Sequence, residues 1–264
     1  MTTALVVPVL DEVATADETA RLIHACLDEG IVDRAVVVDG GSTDGTVVAL
    51  RAADVQVLVA ADLPPTGRVR GKGESVRRAT DLLDVERYVL VDGDLRGMEV
   101  EAVRSLRDAL DDEQVHLAKA AFHRLQRDGE THRELGGRVT ELLARPLLHR
   151  FAPDLDHVHV PLSGQQAVRG ETLRSLPLLS GYGLEVGLLL AVRQLHGATA
   201  VVDVPIPPIS HDAKPDSSLV PMAHQVMAAA AWGLGLDGAP PCDPSIDPGG
   251  GIHVLPAAAP QEQR

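Results

Sequence analysis

The chain has 264 residues, a formal net charge of −14 and two cysteines, and aromatic residues make up only 2% of it. The acidic balance and the scarcity of aromatic rings argue against a nucleic-acid-binding protein, which needs a basic surface and stacking side chains. Two isolated cysteines build neither a disulfide framework nor a zinc site. The sequence also has no apolar run of membrane-spanning length and no secretion signal, so we expect a cytoplasmic domain of enzyme size without a membrane partner.

Two periodicities alternate along the first half of the chain. Short runs rich in β-branched residues and leucine predict strands at 4–10, 34–38, 55–59, 88–91 and 115–122. Amphipathic patterns between them predict helices at 15–29, 43–53, 74–83 and 99–110. This alternation predicts an α/β fold: a doubly wound, mostly parallel sheet with helices on both faces. Ligands of such sheets bind beyond the carboxyl ends of the strands, so the polar residues after each strand are the candidates.

Three segments after the early strands carry such residues. The first strand is followed by Asp11 and Glu12, and the second by residues 39–46, Asp-Gly-Gly-Ser-Thr-Asp-Gly-Thr. An ordinary strand-to-helix turn explains the second segment equally well. The third segment, 71–74, opens a helix, where free N–H groups and Lys72 would favour a phosphate. The simpler alternative for Lys72 is a solvated lysine on a loop.

The triplet Asp92-Gly93-Asp94 follows the apolar run 88–91 directly. Two carboxylates at the exit of a buried strand are suited to hold a divalent cation against an anionic ligand. A second Asp-x-Asp triplet, Asp154 to Asp156, lies in a Pro-containing polar connection instead. The context therefore favours the first triplet as the metal site.

In this order, the elements from Pro8 to Asp94 resemble the nucleotide-sugar half of a GT-A glycosyltransferase. Three later segments, 136–148, 161–167 and 181–189, resemble the acceptor-binding half of glucosyl-3-phosphoglycerate synthases. The resemblance covers roughly residues 4–227, and a long ordered set of matches is more specific than any single triplet.

The resemblance implies a UDP-glucose site and a bound Mg²⁺ or Mn²⁺. It places the nucleotide sugar on eight residues: Pro8, Leu10, Glu12, Asp39, Gly40, Lys72, Asp92 and Gly93. Asp94 would be the direct metal ligand, with Asp92 toward the ribose and the hydrated shell of the metal, and His211 would join the site. Taken alone, His211 reads as a surface histidine. Gly40 stands where the family carries a serine, so one hydroxyl contact to the donor is missing.

For the acceptor, the resemblance places the phosphate against residues 137–140, that is Gly137, Arg138, Val139 and Thr140, with Lys214 as a further cation. Glycine N–H groups, a helix start and an arginine fork suit a phosphate, although an ordinary helix start would look the same. Glu185 would orient hydroxyls and, with Asp94 and Lys72, act in catalysis; the alternative is a first-turn glutamate favoured by the helix dipole. Asp212 and Ala213 replace a cation and an amide of the family.

The function that follows is a retaining, metal-dependent glycosyltransferase that moves glucose from UDP-glucose to 3-phosphoglycerate. The nearest alternative is a glycosyltransferase with another nucleotide sugar and a different small acceptor, which Asp212 and Ala213 would support. A nucleotidyltransferase would carry an early Gly-rich, basic segment, and a non-enzymatic binding module would need no such set of polar residues. We expect one domain over 1–236, with a nucleotide-sugar half (1–122) and an acceptor half (123–236). A Pro/Gly/Ala-rich tail (237–264) would lie loosely over the surface, and the resemblance implies a homodimer.

Overall fold

The computed structural model describes residues 1–128, 131–134, 137–212, 216–236 and 253–257. For residues 124–128, 131–134, 211–212, 216 and 218, only the backbone is described. Lys214 and Ala213, which the sequence assigned to the acceptor site or its altered loop, lie outside the described residues. No helix in the described ranges combines the length and apolar character needed to cross a bilayer.

The first half of the chain alternates strands and helices as the sequence predicts. Its strands are β1 (Thr3–Val9), β2 (Arg34–Asp39), β3 (Val57–Val59), β4 (Arg87–Leu90) and β5 (Leu117–Ala121). Its helices are α1 (Ala16–Asp28), α2 (Thr46–Ala52), α3 (Lys72–Leu82) and α4 (Val100–Asp108). Strands β3 and β5 each begin two residues later than predicted, α4 ends two residues earlier, and two helix starts also differ by two residues or more. Helix α3 begins two residues early, at Lys72, and α2 begins three residues late, because residues 42–45 are used in contacts between loops.

The second half adds seven strands and four helices within the described residues. The strands are β6 (Arg124–Asp128), β7 (Thr131–Glu134), β8 (Gln166–Arg169), β9 (Leu178–Leu179), β10 (Val201–Pro205), β11 (Ile209–Asp212) and β12 (Val254–Leu255). The helices are α5 (Arg145–Phe151), α6 (Gly170–Ser175), α7 (Leu184–His196) and α8 (Asp216–Gly233). A π-helical turn, Thr140–Ala144, precedes α5.

Seven strands form the central sheet in the order β10-β5-β8-β4-β1-β2-β3. All neighbouring pairs are parallel except those of β8, which runs antiparallel between β4 and β5. The alternating residues of β1 divide between two apolar clusters. Ala4 and Val6 pack on one face, and Leu5 and Val7 on the other. Both faces of the sheet are therefore buried under helices, which confirms the doubly wound, mostly parallel architecture.

The parallel strands β1, β2 and β4 end at the same edge of the sheet. Val9 at the end of β1 lies opposite Asp39 at the end of β2, and the N–H of Val91 bonds to the carbonyl of Val6 at 3.2 Å. Two backbone hydrogen bonds between Arg96 and Ser210 extend this edge. Arg96 and Ser210 form an isolated antiparallel bridge, which joins the segment after Asp94 to strand β11.

The C-terminal region contributes a strand next to this edge. Strand β12 pairs antiparallel with β9. The N–H of His253 donates to the hydroxyl of Ser180 at 2.7 Å, and the N–H of Ser180 donates to the carbonyl of His253 at 2.9 Å. Residues 253–255 are thus hydrogen-bonded to the chain just before the Gly181 turn, which differs from the expected loose tail.

Candidate active site

The loops after β1 and β2 bind each other through side chains. Asp11, whose φ of +56° is unusual for a residue other than glycine, accepts a hydrogen bond from the N–H of Thr43 at 2.7 Å. The N–H of Asp11 donates to the hydroxyl of Ser42 at 2.9 Å. Likewise, the N–H of Glu12 donates to the hydroxyl of Thr46 at 2.8 Å. These contacts fix the two loops that carry most of the residues predicted to hold the nucleotide.

Asp39, at the end of β2, is buried, and its carboxylate accepts hydrogen bonds from the N–H groups of Gly41 at 3.0 Å and Ser42 at 3.1 Å. Leu10 is exposed, whereas Pro8 and Glu12 are half-buried. A Cβ atom at Gly40 would lie 3.4 Å from the carbonyl of Val9 and 3.6 Å from the hydroxyl of Ser75, which are ordinary contacts. Position 40 therefore has room for a small side chain. The structure gathers these five predicted donor-binding residues at one edge of the sheet.

Gly93 allows the Asp92–Asp94 triplet to pack against the end of β1. A Cβ atom at this position would lie 2.5 Å from the side chain of Val9 and 3.2 Å from the carbonyl of Pro8. The hydroxyl of Thr15 donates to the carbonyl of Gly93 at 2.6 Å. Any larger residue would push the triplet away from β1, so the glycine sets the place of both aspartates.

Lys72 joins two carboxylates that are distant in sequence. It is the first residue of α3 and follows Gly71, whose φ is +76°. Its ammonium donates to Oδ1 of Asp92 and, at 2.5 Å, to Oε1 of Glu185 in the first turn of α7. Burial alone would lower the pKa of Lys72, but the carboxylates of Asp92 and Glu185 outweigh burial and raise it above its ordinary value. The ammonium therefore stays charged, and the solvated-loop alternative for Lys72 is wrong.

Beneath Asp92 lies a segment whose individual residues the sequence did not single out. The side-chain N–H of Gln165 donates to Oδ2 of Asp92 at 3.0 Å. A Cβ atom at Gly164 would lie 2.2 Å from that oxygen. Strand β8 carries this segment to the centre of the sheet, where Lys119 of β5 donates to the carbonyl of Ser163 at 2.9 Å. The only sequence signal was that Gln165 and its neighbours belong to a segment that resembles the family.

The turn before α7 is held from two sides. The N–H of Gly181, whose φ is +58°, donates to the carbonyl of Arg70 at 3.1 Å. The N–H of Tyr182 donates to the side-chain oxygen of Gln225 in α8 at 2.9 Å. Because Arg70 lies just before Gly71, the first contact ties the start of α7 to the start of α3. This explains how Glu185 and Lys72 come to share one site.

The predicted acceptor segment opens a helix, as expected, but its four residues differ from one another in exposure. Arg138 is exposed, and the N–H of Glu141 bonds to the carbonyl of Gly137 at 2.9 Å. Val139 and Thr140 are buried, and the side chain of Val139 belongs to the apolar core. Val139 could therefore contribute only its backbone N–H to a phosphate. The helix begins with a π turn, a feature that often occurs at functional sites.

The predicted metal ligands come from two connected segments. The Arg96–Ser210 bridge lies two residues after Asp94 and one residue before His211, so the backbone brings the two segments side by side. Both oxygens of Asp92 accept hydrogen bonds, from Lys72 and Gln165. Carboxylate oxygens suit Mg²⁺ or Mn²⁺. Among the side chains that are described, which exclude that of His211, no three His, Cys, Asp or Glu residues converge.

Several known proteins are similar to this chain over most of its length. No protein-family model matches the chain. The chain is 36% identical over 230 residues to glucosyl-3-phosphoglycerate synthase of Mycolicibacterium smegmatis, and the matched residues make up 86% of this chain and 76% of that protein. The enzyme of the same name from Mycobacterium tuberculosis is 36% identical over 233 residues, 86% of this chain and 72% of that protein. That of Petrotoga mobilis is 33% identical over 234 residues, 84% of this chain and 70% of that protein.

Solved structures give the same result. The crystal structure of the M. tuberculosis enzyme in complex with Mn²⁺, UDP-glucose and phosphoglyceric acid matches with a TM-score of 0.82 at 33% identity, over 97% of this chain and 87% of that chain. Its complex with Mn²⁺, UDP and glucosyl-3-phosphoglycerate matches with a TM-score of 0.81 at 34% identity, over 90% of this chain and 81% of that chain. The fold class is GT-A, as the sequence predicts.

Proposed function

The chain belongs to the glucosyl-3-phosphoglycerate synthase family, and we propose that it moves glucose from UDP-glucose to the hydroxyl of 3-phosphoglycerate. The observation that carries this proposal is the meeting of Lys72, Asp92 and Glu185 at the edge of the sheet. The three side chains start α3, follow β4 and start α7, and a nucleotide sugar in a doubly wound fold binds at this edge. The M. tuberculosis enzyme of this family forms a complex with Mn²⁺, UDP-glucose and phosphoglyceric acid.

Lys72 is suited to the diphosphate of the donor. Its ammonium lies at a helix N-terminus, where backbone N–H groups would also favour an anion, and its raised pKa keeps it cationic. As the bond from the anomeric carbon to UDP breaks, negative charge grows on the departing diphosphate, and a fixed cation stabilises that charge. Lys72 thus acts on donor binding and on the departure of UDP.

We assign the metal to Asp94 and His211, with Asp92 nearby. When bound, Mg²⁺ or Mn²⁺ would neutralise charge on the diphosphate. Asp92 accepts hydrogen bonds from Lys72 and Gln165. It would help to orient the donor through the water molecules around the metal ion. Glu185 is held by Lys72 and is nearly buried, so we give it an orienting role toward sugar or acceptor hydroxyls.

The acceptor phosphate would bind at the start of the helix that contains residues 138–151. Exposed Arg138 can supply two parallel N–H donors, the N–H groups of Gly137 and Val139 would add to them, and Thr140 and Lys214 complete the proposed set. We further propose that transfer retains the anomeric configuration and that the protein acts in the cytoplasm as a homodimer. The division at residue 122 into donor and acceptor halves is part of the same proposal.

The direct test is UDP release from UDP-glucose in the presence of Mg²⁺ or Mn²⁺ and 3-phosphoglycerate, with NMR of the product to assign the anomeric configuration. Asp94→Asn is expected to abolish release while the protein stays folded. Glycerate and glycerol 3-phosphate serve as alternative acceptors, the second because it occurs in a complex of the M. tuberculosis enzyme with Mn²⁺ and UDP-glucose.

Turnover that survives EDTA would refute the metal assignment. Equal use of glycerate and 3-phosphoglycerate would refute the proposed binding of the acceptor phosphate by residues 137–140. UDP-glucose binding without transfer to any of these compounds would favour a different acceptor, which the altered residues Asp212 and Ala213 already suggest.

A further inference from the structure

Lys119 is a cation in the middle of the sheet. It lies in β5, its exposed fraction is 0%, and its two hydrogen-bond partners are neutral oxygens. The ammonium donates to the carbonyl of Ser163 at 2.9 Å and to the side-chain oxygen of Gln166 at 2.8 Å. Burial lowers the pKa of Lys119 to about 8, against a smaller opposing effect of Glu185. An apolar side chain would fill this place without the free-energy cost of burying a charge, so packing alone does not explain the lysine.

The Lys119 contacts lead to Asp92 in a short chain of hydrogen bonds. The hydroxyl of Ser163 donates to the side-chain oxygen of Gln165 at 3.1 Å. With that oxygen held, the amide nitrogen of Gln165 points at Oδ2 of Asp92, 3.0 Å away. The carbonyl of Gln165 also accepts the N–H of Ala120, the neighbour of Lys119 on β5. Gln165 is 1% exposed, so both ends of this side chain and its backbone are fixed.

The backbone between Ser163 and Gln165 also determines where Asp92 can lie. A Cβ atom at Gly164 would come within 2.2 Å of Oδ2 and 2.5 Å of Oδ1 of Asp92. The carboxylate therefore rests directly on the main chain of this segment. A small shift of the segment would move the carboxylate, and with it the ammonium of Lys72 that Asp92 holds from its other oxygen.

We infer that Lys119 is a positioning residue: through Ser163 and Gln165 it fixes the Asp92 carboxylate, and thereby Lys72, in the arrangement that binds the nucleotide sugar. The inference rests on the proposed function, because that function gives Asp92 and Lys72 their roles at the donor.

The test compares Lys119→Met and Gln165→Leu with a matched control, Arg87→Met. Arg87 is another buried cation, on β4 itself, but it bonds to Asp111 and to the carbonyl of Arg107 at the other end of the strand from Asp92. UDP-glucose affinity is measured by titration with metal present, and the Michaelis constants for both substrates are measured by UDP release. Crystal structures of the variants show the rotamer of Asp92.

We expect Lys119→Met and Gln165→Leu each to weaken UDP-glucose binding by about tenfold or more, the loss of one hydrogen bond to a charged group. The KM for 3-phosphoglycerate should stay near the wild-type value. The double variant should bind UDP-glucose no more weakly than the single variant with the lower affinity, because both substitutions act through the same carboxylate. Arg87→Met should lower stability and leave UDP-glucose affinity unchanged.

Unchanged UDP-glucose affinity in Gln165→Leu, or an Asp92 rotamer that is unchanged in Lys119→Met, would overturn the positioning role. Gln165→Leu decides the question if Lys119→Met does not fold. Failure of the wild-type protein to bind UDP-glucose would instead count against the proposed function. The Asp92 rotamer in the variants still tests the inference in that case.

Discussion

Replacing Gly164 with alanine would press a methyl group against the carboxylate of Asp92. The new Cβ would lie 2.2 Å from Oδ2 and 2.5 Å from Oδ1, whereas close carbon–oxygen contacts in proteins are about 3.3 Å or longer. Asp92 would have to move by about 1 Å. Such a shift would break the 3.0 Å hydrogen bond from Gln165 or the contact with Lys72, each a bond to a charged group.

A hydrogen bond to a charged group contributes about 1.5–3 kcal/mol, which corresponds to a factor of roughly 10 to 150 in rate or affinity. A displacement of about 1 Å in an active site has been worth a similar factor of about 100 in other enzymes. We therefore expect Gly164→Ala to lower kcat/KM for UDP-glucose by about one hundredfold. The assay is UDP release at saturating 3-phosphoglycerate, with the folded fraction measured by circular dichroism.

The matched control is Gly170→Ala at the opposite edge of the sheet. A Cβ atom there would lie 2.0 Å from the carbonyl of Val85, so the steric conflict is at least as severe but far from Asp92. Gly170→Ala is expected to lower the free energy of unfolding and to leave the rate per folded molecule unchanged. Gly164→Ala with a rate within threefold of wild type, and unchanged UDP-glucose affinity, would refute the idea that Asp92 must lie where it does.

Three further predictions concern the donor, the buried lysine and the acceptor. Gly40→Ser adds a hydroxyl where the sequence resemblance places a serine, at a position with room for it. It should tighten UDP-glucose binding by about fivefold, the contribution of one net hydrogen bond. Gly40→Ala is its control, and equal affinities of the two variants would show that the hydroxyl makes no contact. The pKa of Lys119 is about 8 in the folded protein and about 10.4 in the unfolded chain. Between these pH values the unfolded chain binds more protons than the folded protein. The free energy of unfolding should therefore rise with pH by a few kcal/mol in this window. Urea unfolding should show this rise relative to Lys119→Met, since all other groups titrate in both proteins, and parallel pH profiles would contradict it. Arg138→Ala should raise the KM for 3-phosphoglycerate at saturating UDP-glucose. The KM of Arg138→Lys should lie between those of the wild type and Arg138→Ala, because lysine keeps the charge but cannot donate two parallel hydrogen bonds. An unchanged KM in Arg138→Ala would remove Arg138 from the acceptor site.

The alternating half of the fold could be read from the sequence because its signals are local. Strand β1 is almost wholly apolar and α1 is amphipathic, and each element shows its own period within one segment. The ends of the strands follow from the same pattern, so the Asp92–Asp94 triplet could be placed at the ligand-binding edge before the structure was known. The physical reason is that burial on both faces of a parallel sheet leaves a continuous apolar run in each strand.

The contacts that complete the site could not be read in this way. Strand β8 has only four residues, Gln-Ala-Val-Arg, and its antiparallel place between β4 and β5 depends on pairing with two strands at once. Glu185 is 113 residues from Lys72, and only the family resemblance brought them together before the structure did. Strand β12 has two residues in a Pro- and Gly-rich region, so composition alone predicted a loose tail there.

The distribution of charge explains how so acidic a protein could handle an anionic donor. With a formal net charge of −14, the chain as a whole repels a sugar diphosphate, so attraction has to be local. Lys72, which we assign to the diphosphate, is already shared by Asp92 and Glu185. The two carboxylates hold the ammonium in place and keep it charged, but two carboxylates against one ammonium leave an excess of negative charge at this contact. A divalent cation would offset that excess, so the residues that fix Lys72 are also the reason why donor binding at this edge should depend on a metal.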